Sequence, residues 1–368
     1  MTGPRIGDPV DAIDTPALVV DVDAMERNIA GMAAFAQKHG VRLRPHAKTH
    51  KSAAIAKLQI AAGAAGVCVQ KVSEAEALAA GGVADIFISN EIVDARKLAR
   101  VAALAARIRL AIAVDSGLGV DRLAEALRAA GSCADVFVEI DVGQGRCGVA
   151  ATAAGALAHQ VVSHGLRFAG LQAYHGRAQH LRSAAEREAA TRHAVTLARS
   201  AQAGITSAGI ACPLVTGAGS GSFAFEAASG VYGELQPGSY VFMDRDYADN
   251  EATPNAPAFE HALFVKSQVM SRGFSHAVVD AGHKSHAIDS GPPRVWQRRC
   301  EFVNGGDEHG ILRAQGEALP TLGETVWLVP GHCDPTVNLH DRLIAVRGGL
   351  AHGVVEAVWP VDARGCSD

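Results

Sequence analysis

What most constrains this chain is an alternation that runs from about residue 17 to 243. Short runs rich in β-branched residues are followed by stretches rich in Ala, Leu, Glu and Arg. The runs fall at 41–45, 66–69, 85–89, 108–114, 135–141, 168–173, 213–216 and 232–235, eight in all. Helical segments such as 72–80, 122–130 and 184–203 lie between most of them, and Asp21 opens a helix reaching to about Lys38. A strand, a helix and a second strand in succession imply parallel pairing, because the helix returns the chain to its starting end. Eight such units predict a closed (β/α)8 barrel of TIM type, with a doubly wound open sheet as the alternative. Beyond residue 242 the rhythm changes. Runs at 262–270, 276–280, 325–329, 342–347 and 353–358 read as strands joined by turns, with little helix. The expected organisation is a barrel over 15–243 and a mostly β domain built from 1–14 plus 244–368. A chain of 368 residues exceeds one ordinary core and suits that division.

In such a barrel the active site lies where the strands end. Those ends carry Lys48, Gln70, Asn90, Asp115, the stretch from Asp141 to Arg146, Tyr174 with His175, and two glycine-rich loops. The loops are Thr216-Gly217-Ala218-Gly219-Ser220-Gly221-Ser222 and Pro237-Gly238-Ser239-Tyr240. Small residues let backbone N–H groups approach an anion, and hydroxyls add donors. The loops after the seventh and eighth strands of a barrel are a common place for a phosphate. Lys48 ends the first strand among Arg44, His46, His50 and Lys51. Neighbouring cations and partial burial lower a lysine pKa and free the amine for covalent chemistry. The same basic strand end also suits a phosphate held without a covalent bond, and the residues alone leave both readings open.

Several function classes lose support. The net charge is −4, from 34 basic and 38 acidic residues, and no basic block appears. No surface for nucleic acid or anionic membrane is therefore expected. Seven cysteines without a repeated spacing do not form a disulfide framework, which points to a reducing cytoplasm. The first residues lack the apolar core of a signal peptide. The most apolar stretch, 101–114, is broken by Arg107 and Arg109, well short of the roughly 18 residues a membrane span needs.

Two stretches are specific enough to place the chain. Arg44-Pro45-His46-Ala47-Lys48-Thr49-His50 and His332-Cys333-Asp334-Pro335-Thr336, with Asp14-Thr15-Pro16 before them and Asp141-Val142-Gly143-Gln144-Gly145-Arg146 and Gln172-Ala173-Tyr174-His175-Gly176 between them, resemble the D-threonine aldolase and D-serine dehydratase family. Its members are pyridoxal-phosphate enzymes of the alanine-racemase fold type, a barrel followed by a β domain. The resemblance implies that Lys48 carries the cofactor as a Schiff base. It implies a phosphate site among Thr216, Gly217, Gly219, Ser220, Gly238, Ser239 and Tyr240. Gln70, Tyr174 and Arg146 are implied as contacts to the ring or its hydroxyl.

His332 and Asp334 are two apart, so an extended segment would send both side chains to one face and share one cation. An oxygen ligand favours Mn²⁺ or Mg²⁺, with Zn²⁺ or Co²⁺ as alternatives. The His-x-Asp spacing resembles the aldolase branch, whereas dehydratases of the family tend towards His-x-Cys. The implied reaction is cleavage of a 3-hydroxy-D-amino acid, such as D-threonine, to glycine and an aldehyde. His180 is the candidate base and His175 the second candidate. Alternatives are a 3-hydroxy-D-aspartate aldolase yielding glyoxylate, a D-serine or 3-hydroxy-D-aspartate dehydratase, and a non-catalytic cofactor carrier. Arg177 reads either as a carboxylate-binding group or as a solvated loop charge. Because lysine and metal pair lie in different domains, the family precedent implies a homodimer with composite active sites, acting on a small amino-acid substrate.

Overall fold

The computed structural model describes residues 3–368. Eight parallel strands follow the expected runs, namely Arg42–Leu43, Val67–Val69, Asp85–Glu91, Arg109–Val114, Asp135–Glu139, Arg167–Gln172, Val215–Gly217 and Glu234–Leu235. From Val67–Val69 onward each is hydrogen-bonded to the next, the last pairs with Arg42–Leu43, and a parallel bridge from His46 to Cys68 completes the ring. Helices between the strands bury their apolar faces against the outside of the barrel. Helix Ala95–Ala105 does so through Leu98, Val101, Ala102 and Leu104, and its start is capped by Asp94, which accepts from two backbone N–H groups. The barrel lumen is filled by Cys68, Phe87, Ala111, Ala113 and Phe137. Beneath the first strand end, the buried Arg44 guanidinium bridges Glu234 (3.2 Å) and Asp85 (2.5 Å). With the lumen packed, only the mouth has room for chemistry.

The second sheet has nine strands. Its main path runs Cys300–Asn304, Gly310–Ala314, His276–Val279, Leu263–Arg272, Ala17–Asp21, Arg342–Arg347 and Val354–Pro360. Thr325–Val329 pairs with Leu263–Arg272 and with Arg294–Val295. Ala17–Asp21 lies inside the range expected for the barrel, yet it hydrogen-bonds antiparallel to Leu263–Arg272 and parallel to Arg342–Arg347. The helix Val22–His39, capped by Asp21 and closed by Gly40 at φ +64°, carries the chain from that sheet into the barrel. Its buried Met25, Ile29, Met32 and Phe35 share one core with Val265, Leu328 and Leu343 of the second sheet. The two parts are thereby fused through apolar packing, which sets how the β-rich part stands over the mouth.

The link at the mouth is a buried carboxylate. Asp244 accepts from the N–H of Tyr247 (3.0 Å) through one oxygen and of Cys333 (3.0 Å) through the other. Burial raises its pKa to about 6. The N–H groups of Arg245 and Asp246 reach the carbonyls of Pro330 and Gly331. The segment 330–338 is thus fixed against the end of the barrel. Among the described residues no helix is long and apolar enough to cross a membrane, and all seven cysteines are unpaired.

Candidate active site

The carboxyl ends of the barrel strands open on a cavity of about 400 Å³. Lys48 stands in its wall on a single 3-10 turn, Ala47–Thr49, that follows the first strand. Its Nζ lies 3.1 Å from Asp334 Oδ2. The barrel and the β-rich part of one chain therefore meet at this lysine, and no second chain is needed to join them.

The electrostatics correct one expectation. The basic neighbours were expected to lower the Lys48 pKa; instead the Asp334 carboxylate raises it, against burial and Arg146. The neighbours are spent elsewhere. Arg44 is tied down beneath the site, and Lys51 Nζ sits 3.1 Å from Glu74. Burial pushes His50 down to about 4 and His46 well below its usual value, so both are neutral. Burial would raise Asp334, but the charges of Lys48 and His332 outweigh it and hold the carboxyl well below the usual range.

His332 and Asp334 do not lie on an extended segment. His332 is the N-cap of a short helix, Cys333–Val337, and Asp334 sits in its first turn. The two still converge, with His332 Nε2 3.8 Å from Asp334 Oδ1. Pro335 explains the helix, because proline is tolerated in a first turn where its missing N–H costs nothing. His332 Nδ1 is held by Asp289 Oδ2 at 2.7 Å, which turns Nε2 towards Asp334. Asp334 Oδ1 is buried without a hydrogen-bond partner. An imidazole oriented by a carboxylate, beside an orphaned carboxylate oxygen, is a donor set that fits a divalent cation.

The other side of the cavity fits a phosphorylated aromatic aldehyde. Gly219, Ser220, Gly238 and Ser239 line it. A Cβ at Gly219 would come within 2.5 Å of the Gln179 carboxamide, and one at Gly238 within 2.6 Å of Thr49 Oγ1, so both positions require glycine. Ala218, immediately before Gly219, is left-handed at φ +71°. Such a turn points successive N–H groups into one concavity. Gln70 lines the opposite wall, 3.0 Å from His46 Nε2. The Arg146 guanidinium lies 5.7 Å from the Tyr174 ring centroid, and both line the cavity.

Four of the expected cofactor and catalytic residues do not reach the cavity wall. The Thr216 hydroxyl donates to Glu234 below the mouth, and Gly217 packs on the Ala173 carbonyl. The Tyr240 side chain is in the core, where its hydroxyl accepts from Gln59. His175 is buried behind Gly143 with its Nδ1 unpartnered. His180 does reach the cavity, with Nδ1 held 2.6 Å from Asp246 Oδ2. Burial would raise Asp246, but His180 and Arg182 outweigh it and hold the carboxyl at about 2. Sequence reading missed Asp246 and Asp289. Asp246 sits in the short helix Arg245–Ala248 and Asp289 in a turn, neither within a recognisable motif, and their partners are 66 and 43 residues away.

Residues 20–246 match the family model for the alanine racemase N-terminal domain, and 262–346 that for a putative serine dehydratase domain. A D-threonine aldolase of Arthrobacter sp. is 47% identical over 366 residues, covering 98% of this chain and 95% of the relative. The chain belongs to the D-threonine aldolase family. A 3-hydroxy-D-aspartate aldolase of Paracoccus denitrificans (strain Pd 1222) is 42% identical over 363 residues, covering 96% of this chain and 92% of the relative. The crystal structure of D-threonine aldolase from Filomicrobium marinum superposes with a TM-score of 0.97 at 49% identity, each chain covered in full. This family membership accounts for the barrel, the β-rich part and their order along the chain.

Proposed function

We propose that this chain is a pyridoxal-phosphate- and divalent-metal-dependent aldolase that splits 3-hydroxy-D-amino acids, such as D-threonine, into glycine and an aldehyde. The observation that carries the reading is the 3.1 Å meeting of Lys48 with Asp334 of the same chain. It puts an amine and a metal-binding pair on one substrate-sized space. The aldolase names of its relatives support the same chemistry.

Lys48 is the residue to hold the cofactor aldehyde, with Gly219, Ser220, Gly238 and Ser239 around the phosphate and Arg146 and Tyr174 beside the ring. Pyridoxal phosphate, when bound, supplies the sink for the electron pair left on Cα. His332 Nε2 and Asp334 Oδ1 are the metal ligands, a mixed imidazole and carboxylate set that favours Mn²⁺ or Mg²⁺ and also accepts Zn²⁺ or Co²⁺. The cation, when bound, lowers the pKa of the substrate hydroxyl. Asp246 fixes the His180 ring through Nδ1 and leaves Nε2 to act. His180 removes the hydroxyl proton, the Cα–Cβ bond breaks and the aldehyde carbonyl forms at Cβ. We place the enzyme in the cytoplasm as a homodimer in which each Lys48 works with its own chain's metal pair.

The test is product analysis of the purified protein with pyridoxal phosphate and Mn²⁺. D-threonine should give equal amounts of glycine and acetaldehyde, L-threonine should give neither, and chelation should stop cleavage. Ammonia and a 2-oxo acid as the products would establish the dehydratase instead. Cleavage that survives complete chelation would remove the metal from the account.

A further inference from the structure

Arg177 lines the cavity, yet among the described residues its guanidinium has no ion pair and no hydrogen bond. The carboxylates in and behind the cavity wall have partners of their own. Asp334 is claimed by Lys48 and His332, Asp289 by His332, and Asp246 by His180 and Arg182. Asp141 accepts the N–H groups of Gly143 and Gly145. Arg146, the cavity's other arginine, has Glu139 at 4.0 Å.

The backbone beneath Arg177 is nonetheless held firmly. The Gly176 N–H donates to Gln144 Oε1 at 2.7 Å. Gln179, fully buried, donates to Ser222 Oγ at 2.7 Å and accepts the Gly221 N–H at 2.9 Å. Its carbonyl takes the Asn250 side chain at 3.0 Å. A surface arginine left to solvent does not need a turn pinned on both sides.

Arg177 and His180 are the first and last residues of one 3-10 turn. Residues three apart in such a turn eclipse one another. Both line the cavity, so the unpaired guanidinium stands beside the imidazole assigned to the hydroxyl on Cβ. A guanidinium beside the base assigned to the Cβ hydroxyl is placed for the other substituent of Cβ.

We propose that Arg177 is a specificity-determining residue that binds a carboxylate carried on the substrate Cβ, which makes β-carboxylated 3-hydroxy-D-amino acids the preferred substrate class. The inference rests on the aldolase reading above and deepens it. The smallest such substrate is 3-hydroxy-D-aspartate. Its Cα–Cβ bond breaks, the hydroxyl proton leaves through His180, and the electron pair stays on Cα and takes up a proton. The products are glycine and glyoxylate, and no oxidant or reductant is required. A guanidinium and a carboxylate pair through two parallel hydrogen bonds, a fork that the single ammonium of lysine does not reproduce.

The experiment compares wild type, Arg177→Ala and Arg177→Lys on D-threonine and on both 3-hydroxy-D-aspartate epimers. Wild type should favour one aspartate epimer over D-threonine in kcat/KM. Arg177→Ala should lower the aspartate-to-threonine ratio by roughly 10- to 100-fold, mostly through KM, and Arg177→Lys should recover only part of it. A second readout is binding of D-aspartate, which lacks the hydroxyl and is not cleaved, measured against D-alanine by calorimetry on the holoenzyme. Its advantage should vanish in Arg177→Ala. Equal losses on both substrates would assign Arg177 to the Cα carboxylate and overturn the proposal, as would an unchanged ratio. A wild type that cleaves neither substrate would instead defeat the aldolase reading.

Discussion

At the scale of single residues, two histidines have the same construction and different work. His180 is oriented by Asp246 and His332 by Asp289, each through Nδ1, so each presents Nε2 to the cavity. The difference lies in what Nε2 meets. For His332 it is a buried carboxylate oxygen with no partner, a place for a cation. His180 faces the open cavity, half-exposed, as a base must. His180→Ala should therefore lower kcat by roughly 100- to 10,000-fold while leaving the affinity for Mn²⁺ within a few-fold. Asp246→Asn should cost less, because the ring keeps a neighbour at Nδ1 but loses the carboxylate that fixes its tautomer and orientation. Loss of metal affinity in His180→Ala, with turnover restored by excess Mn²⁺, would move His180 into the metal site. The sequence named His180 and His332 from their motifs. It did not show the aspartates, because a carboxylate that orients a ring across 66 or 43 residues leaves no local pattern.

At the scale of elements, the barrel was legible and the β-rich part only partly so. Barrel strands are buried on both faces and read as near-continuous apolar runs between helices, which is why Asp85–Glu91 and Arg109–Val114 stand out. Cys300–Asn304 and Gly310–Ala314 are short and half-exposed, and went unread. Ala17–Asp21 shows how far local reading reaches. Its five residues fall within the range expected for the barrel, but its partners lie some 245 and 325 positions away. The helix Phe223–Ala228 follows the first phosphate loop and buries a carboxyl, Glu226, which accepts from Ser222 Oγ at 2.8 Å. Burial pushes Glu226 up to about 7, against that hydrogen bond. The unfolded chain gives up the same proton near pH 4.3, the ordinary glutamate value. Between those limits the folded state holds a proton that the unfolded state has lost, so stability falls as pH rises through the window. Glu226→Gln keeps an acceptor for Ser222 and cannot ionise. Relative to wild type, its Tm should rise by roughly 2–6 °C on going from about pH 5 to about pH 8. A constant offset between the two proteins at both pH values would show that Glu226 does not titrate in this range.

At the scale of the whole molecule, the arrangement that matters is how the β-rich part stands over the barrel. Family precedent led us to expect composite sites, with the metal pair of one chain over the lysine of another. The shared core of Met25, Phe35, Val265 and Leu343 and the Asp244 staple instead bring His332 and Asp334 onto their own chain's Lys48. In a homodimer built from such chains, each Lys48 would face the metal pair of its own chain. The most direct test is complementation between two inactive variants, Lys48→Ala and Asp334→Ala, co-expressed so that mixed assemblies form. Sites contained in single chains leave no mixed dimer with both groups in one place, and the account predicts no recovered cleavage of D-threonine. Sites shared between chains would give each mixed dimer one intact site, and recovery to about a quarter of wild-type activity would contradict the account.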